Sequence, residues 1–160
     1  MLRFNYKKNL IINILFFILI SQLLSSCTNK SGARMGLFTA TSPVTATIKD
    51  DIFVGWAKGD ISGRGKIDVR SSINKKITCV GEFRYISTFL LTGTGTLSCN
   101  DGAQANFNFK GLTNLKGHGY GNSSRGPVTF TYGMTAEEAA KYLQKPVFEV
   151  EESFKARSEP

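Results

Sequence analysis

The segment Gly93-Thr-Gly-Thr-Leu-Ser-Cys-Asn-Asp-Gly102 decides the fold of this chain. Its alternation of side-chain types predicts a β-strand. The Asn-Asp-Gly that follows predicts a three-residue hairpin loop in which Gly102 takes the left-handed conformation. Related glycine pairs occur in Gly63-Arg-Gly65 and Gly117-His-Gly119, and an aromatic-rich strand follows each pair. Such a repeat predicts a meander of antiparallel hairpins.

The register of this meander follows from simple arithmetic. If residues 77–86 and 91–99 are antiparallel neighbours, Phe83 lies opposite Gly95, and the next hairpin brings Phe107 to the other side of Gly95. Closing the following hairpin near Leu112 would place Phe107 opposite Gly117. Glycine weakens a strand on its own, but an aromatic ring laid across it restores buried area and lets the sheet curl.

The fold class predicted is therefore all-β. We expect an antiparallel meander of about six or seven strands, curled into a small barrel or half-barrel, within a domain at residues 43–145. Thr135-Ala-Glu-Glu138 has the form of a capping box and predicts one short helix near residues 136–144, ended by Pro146. Residues 146–160 are rich in charge and are expected to form a flexible tail.

The N-terminus has the pattern of an export signal. Basic residues precede an apolar run at Leu10–Ile20, which is shorter than the roughly 20 residues of a membrane-spanning helix. The small residues of Leu24-Ser-Ser-Cys27 resemble the lipobox of bacterial lipoproteins. The resemblance implies that residues 1–26 are a signal peptide and that Cys27 carries lipid, including palmitate. Residues 27–42 are then the lipidated N-terminus and tether. The alternatives are an ordinary signal peptide that is cleaved nearby and an uncleaved membrane anchor.

The same resemblance implies a cellular location. In Gram-negative lipoproteins, Asp after the lipidated cysteine favours retention in the inner membrane, whereas this chain has Thr28. We therefore expect a lipid anchor in the outer membrane, with the protein facing the periplasm. The inner membrane and the cell surface are the alternatives.

Cysteine usage agrees with export. Without residues 1–26 the chain has 17 basic and 12 acidic residues, a net charge of +5, and two cysteines besides Cys27. Cysteines in an oxidising compartment form disulfides. The register that pairs Phe83 with Gly95 also places Cys79 opposite Cys99, within the reach of a disulfide.

Two family resemblances concern the hairpins. Gly93-Thr-Gly95 with its turn residue Gly102, and Val80-Gly-Glu-Phe83, resemble the MORN repeat, although Cys79 stands where that repeat usually opens with tyrosine. Residues 55–133 also resemble small glycine-rich exported proteins of proteobacteria that carry Cys-x-Gly and Gly-x-Gly-x-Leu-x-Cys-x-Asp-Gly. Both resemblances imply a hairpin fold and no particular activity.

One surface could bind a partner. Arg64, Lys66 and Arg70 alternate with Ile67 and Val69 and therefore share one face of a strand. Arg84 lies on the corresponding face of the next strand. This face is suited to an anionic glycan, a lipid headgroup or an acidic protein. The alternative interpretation is a solvated face whose charges deter aggregation. Nucleic acid is not expected, because the aromatic residues lie on the opposite face.

The leading hypothesis is a membrane-anchored envelope lipoprotein that is a non-enzymatic structural or binding module. No catalytic residue, cofactor or metal is predicted, and the oligomeric state stays open. The alternative is an envelope hydrolase or enzyme inhibitor that uses His118, the only histidine, with the loop at residues 122–126. That chemistry would need a nucleophile such as Ser123 or Ser124 and an acid to orient the histidine.

Overall fold

A computed structural model describes residues 32–158 of the chain. The proposed signal peptide and its lipidation site, Cys27, lie outside the described residues. Nine strands and two helices are present in the described part: β1 (Arg34–Met35), β2 (Thr39–Ile48), β3 (Asp51–Asp60), β4 (Arg64–Ser71), β5 (Thr78–Ser87), β6 (Thr92–Cys99), β7 (Gln104–Thr113), β8 (Lys116–Ser123), β9 (Gly126–Tyr132), α1 (Ala136–Leu143) and α2 (Val147–Ser158). No helix among these is long and apolar enough to cross a membrane.

The strands form a closed antiparallel barrel. Each strand pairs with the next, and β2 pairs with β9 from Val44–Tyr132 to Ile48–Val128. The barrel has eight strands, β2 to β9, and β1 is an extra short strand on β2. The predicted barrel is thus confirmed, with more strands than the six or seven expected. The interior of an eight-stranded barrel is narrow enough for side chains to fill it.

The predicted register of β5, β6 and β7 is confirmed. Gly95 is the cross-strand partner of Phe83 on one side and of Phe107 on the other. The prediction that Phe107 lies opposite Gly117 is wrong, because its partner is Gly121. The hairpin turns two residues beyond Leu112, after an irregularity between Gly111 and Thr113 in the pairing, and this moves the register.

Aromatic rings fill the middle of the barrel. Phe107 packs edge to face on Phe130, with ring centroids 5.0 Å apart, and Tyr85 packs in the same way on Phe109 at 4.9 Å. At the other end of the barrel from Tyr85, the disulfide between Cys79 and Cys99 joins β5 and β6 as the register predicted. Of the two cysteines, Cys79 is fully buried in the core.

The helices cover part of the outer wall. The capping box is confirmed: Thr135 accepts from the Glu138 amide, the Glu138 carboxylate accepts from the Thr135 amide, and α1 follows. We expected a flexible tail at residues 146–160, but most of this segment is the helix α2. Val150 is fully buried and Phe154 packs beside it. The apolar positions of α2 recur at helical spacing, but the charged residues between them obscure that pattern in the sequence.

Gly95→Ala should destabilise the barrel by about 2–3 kcal/mol, because a Cβ there would overlap the ring of Phe107 and the Glu82 carbonyl oxygen. Gly102→Ala is the matched control. It lies in a turn with φ +87° and nothing within 4 Å of the new methyl group, so only about 1 kcal/mol of backbone strain is expected. Urea unfolding of both variants checks this, and equal losses would contradict the importance of the ring contact.

Candidate functional site

A cluster of cations lies on the outer face of β3, β4 and β5. On β4 the inward side chains Ile67 and Val69 are buried in the barrel, and the residues that alternate with them point to solvent. The cluster consists of Lys58, Arg64, Lys66 and Arg84, and we call it the basic cluster.

Like charges face each other directly in the basic cluster. Arg64 is the cross-strand partner of Arg84, and Lys58 is the partner of Lys66. Directly opposed residues have Cβ atoms about 4.5–5.5 Å apart, and like charges at that distance destabilise a sheet. None of the four takes part in a salt bridge within the described residues. The barrel therefore maintains a concentrated positive charge that nearby protein groups compensate only in part.

Two carboxylates lie beside these cations. Glu82 is the cross-strand partner of Lys66. The Asp60 carboxylate accepts hydrogen bonds from the Ser62 hydroxyl and amide, and these bonds, with the charge of Arg64, lower the pKa of Asp60. The four cations of the basic cluster outnumber these two carboxylates by two.

The basic cluster forms one side of a shallow groove of about 1190 Å³ on the outer wall. Neutral polar side chains of β6, β7 and β8 form the other side: Thr94, Thr96, Asn106, Asn108, Tyr120 and Asn122.

These side chains continue from the cations in two cross-strand rows. One row runs Lys66, Glu82, Thr96, Asn106, Asn122, and the other runs Arg64, Arg84, Thr94, Asn108, Tyr120. Each row crosses five strands, a length of about 19 Å at the usual strand spacing. The rows are thus long enough for an extended polar ligand, with cations at one end and neutral hydrogen-bonding side chains at the other.

The structure brings together three of the four predicted basic residues. Arg64, Lys66 and Arg84 line the groove, but Arg70 does not. Arg70 is six positions along β4 from Arg64, about 20 Å, and Asp68 lies between them. Sequence analysis missed Lys58, which the β3–β4 pairing places beside Lys66. Two features of the sequence predict the position of Lys58: the alternation of side chains along β3 and the length of the hairpin between β3 and β4.

His118 lies on the outer face of β8, next to α1. Its ring stacks on Tyr142, with centroids 4.4 Å apart and planes 22° apart. Partial burial lowers the pKa of His118, and the positive charge of Lys110, its cross-strand partner, lowers it further. The histidine therefore has a packing role against the helix.

The loop at residues 122–126 does not meet His118. The Ser123 hydroxyl donates to the Gly126 carbonyl oxygen at 2.9 Å, and the Ser124 hydroxyl accepts from the Gln104 amide at 3.3 Å. Arg125 forms a salt bridge with Asp101. Ser123 is five residues along β8 from His118, about 17 Å, so the structure does not bring together the groups of the hydrolase hypothesis.

Within residues 32–158, no group of three or more His, Cys, Asp or Glu side chains could hold a metal ion.

No protein-family model matches the chain. No curated protein matches it either. Among solved structures, a de novo designed fluorescence-activating β-barrel is similar, with a TM-score of 0.47 and 13% sequence identity. The match covers 66% of this chain and 96% of that one, and it indicates nothing about a ligand or an activity. The lipoprotein, MORN and exported-protein resemblances therefore stay predictions.

His118 should make the stability of the protein depend on pH. Because its pKa in the folded state lies below the ordinary value of 6.5, the unfolded chain binds the proton more readily. The stabilisation from neutral His118 is complete above pH 6.5 and is lost as the pH falls below it. His118→Phe keeps a ring on Tyr142 but cannot bind a proton.

Urea unfolding of wild type and His118→Phe at pH 7.5, 6.5 and 5.5 measures this effect. The wild type should lose stability relative to the variant over that interval. Parallel pH profiles would contradict the burial of His118.

Proposed function

We propose that this protein is a lipid-anchored, non-enzymatic binding module of the bacterial envelope, and that its groove binds an anionic glycan. The observation that carries the proposal is the pair of like-charge contacts, Arg64 with Arg84 and Lys58 with Lys66, at one end of a polar groove. An anion between these cations relieves their repulsion, so binding gains free energy that a salt-bridged surface could not supply.

The neutral side of the groove favours a glycan over the other anionic partners. Asn106, Asn108 and Asn122 present amide donors and acceptors in neighbouring rows, where sugar hydroxyls can form hydrogen bonds. Tyr120 is exposed beside them and offers a ring face for sugar packing. A single lipid headgroup would occupy only the basic cluster and leave these side chains unused.

The proposed lipid anchor determines where in the envelope the protein would bind such a glycan. Only five peptide units separate Cys27 from Gly32, the first described residue, so they span about 17 Å at most. A lipid on Cys27 therefore holds the barrel close to a membrane surface. The short tether supports a location at a membrane surface, and Thr28 supports the periplasmic face of the outer membrane.

Replacing three groove cations should weaken binding of a polyanionic glycan at least tenfold. The variant is Arg64→Gln, Lys66→Gln and Arg84→Gln, and the probes are dextran sulfate and neutral dextran. Exposed charges contribute modestly one by one, but three act together on one ligand. Wild-type binding should fall with added salt, since screening weakens exposed charges. Neutral dextran should bind much more weakly.

A control with the same change in net charge separates the groove from general attraction. It carries Arg70→Gln, Lys75→Gln and Lys76→Gln, three exposed residues outside the groove. We expect this control to keep most of the wild-type affinity. Equal losses in the two triple variants would show that net charge alone attracts the polymer. Binding of an anionic vesicle in preference to dextran sulfate would favour a lipid headgroup.

Cys27→Ser should abolish lipidation. In a Gram-negative host fed an alkyne analogue of palmitate, the wild type should take up label and sediment with outer membranes, because acyl chains supply the membrane affinity. The variant should lose the label and the membrane association. A Cys79→Ser, Cys99→Ser variant is the control and should remain labelled. Label that persists in Cys27→Ser would contradict the lipobox interpretation.

A further inference from the structure

An apolar cavity of about 350 Å³ opens at one end of the barrel. Aromatic side chains from three strands line it: Phe83, Tyr85, Phe107, Phe109, Phe130 and Tyr132. Phe83 and Tyr85 are only partly buried, because the rings below fill the barrel and the end above them is open. The volume is at the small end of the range of about 300–1,000 Å³ for small-molecule sites, enough for one slender apolar ligand.

The loops around this opening are apolar. Phe89 is 94% exposed, Leu37 is 87% exposed, and Ile61, in the loop between β3 and β4, is also largely in solvent. Leu37 and Ile61 also line the cavity, so the exposed apolar surface continues into the barrel. The loops at the opposite end carry charged residues such as Lys49 and Lys75, with Ile73 exposed among them. An exposed apolar patch of this kind marks a site that meets another apolar surface or ligand.

A buried hydroxyl without a partner lies in the same cavity. Tyr132 is 91% buried, since only 9% of its surface is exposed, and its oxygen has no hydrogen-bond partner among the described residues. The oxygen lies against Gly117 and Gly111, where any side chain would overlap or crowd it. Burial raises the pKa of Tyr132, and the charge and hydroxyl of Tyr85, which is not placed for a well-formed hydrogen bond, raise it further. The Tyr132 hydroxyl therefore keeps its proton. An unsatisfied buried donor is costly and is relieved by an acceptor on a ligand.

Among residues 32–158, the lining of the cavity provides no cation for a carboxylate headgroup. Asp60 is the charged residue among those that line the cavity, and no Lys, Arg or His of the described chain lines it. Because hydrogen bonds from Ser62 stabilise its carboxylate, Asp60 is negative at neutral pH. Arg64 lies beside Asp60 on the outer face, but no described cation lines the cavity itself. A free fatty acid would therefore bury its carboxylate without a partner, whereas an ester carries no charge.

We propose that the open end of the barrel binds one acyl chain of a neutral lipid ester, with the Tyr132 hydroxyl donating a hydrogen bond to the ester carbonyl oxygen. The chain lies among the aromatic rings, and the apolar loops admit it from a lipid phase. This site lies inside the barrel and the groove lies on its outer wall. Asp60 is at the edge of both, but neither proposal depends on the other.

The test measures equilibrium binding of radiolabelled 1-monopalmitoylglycerol, below its micelle concentration, to the full mature chain. Ala57→Leu places extra side-chain volume inside the cavity and leaves the exposed loops unchanged. It should weaken binding at least tenfold. Ile73→Phe enlarges an exposed apolar residue at the opposite end and should bind like the wild type. A folded Ala57→Leu variant with wild-type affinity would overturn the cavity as the site.

Tyr132→Phe keeps the ring and removes only an unpaired hydroxyl, so this variant should fold. It therefore tests the site even if Ala57→Leu does not fold. It should bind the ester about three- to tenfold more weakly, as expected for one lost hydrogen bond. Unchanged ester affinity would overturn the role of Tyr132.

Two further readouts distinguish rival occupants. Palmitate at pH 7.4 should bind at least fivefold more weakly than the ester, and equal or tighter binding would overturn the choice of a neutral ligand. Light scattering of the same samples should give a monomer mass. A dimer that Phe89→Ser dissociates would mean that a second copy covers the apolar end, and it would overturn the lipid site.

Discussion

The contact on which the barrel depends is an aromatic ring packed on a strand-interior glycine. Phe107 lies over Gly95 and Phe109 over Gly93, each ring occupying the space that a Cβ would need. Glycine at these positions allows the sheet to bend sharply, and the rings return the buried apolar area that glycine lacks. Bending of this kind lets an open meander close on itself, so the pairing of β2 with β9 follows from it.

The same contact assigns different chemistry to the two faces of the wall. Because rings and glycines take the inward positions, the outward positions of β4 to β8 are free to carry charged and polar side chains. Strand pairing then aligns those side chains in rows across the barrel, and the basic cluster results. Inside, the rings fill the middle of the barrel and leave one end open. The proposed glycan groove and the proposed lipid cavity are therefore two sides of one wall.

Much of this could be predicted locally, and the failures have physical causes. The pairing of Cys79 with Cys99 needed only strand alternation and short loops, and it is confirmed. The partner of Phe107 on β8 was wrong because the position of one hairpin turn sets every pair after it. The helix α2 was missed because Val150 and Phe154 form a narrow apolar stripe among charged residues.

The sequence by itself determined the antiparallel meander, the disulfide, the capped helix α1 and which side chains share a strand face. Each of these depends on residues close in the chain or on the two-residue period of a strand. Only the tertiary structure decided the eight-stranded closure, the grouping of Lys58 with Arg64 rather than Arg70, and the open aromatic end. These depend on pairings between distant segments, such as Ile48 with Val128, whose register is the accumulated result of all the turns between them.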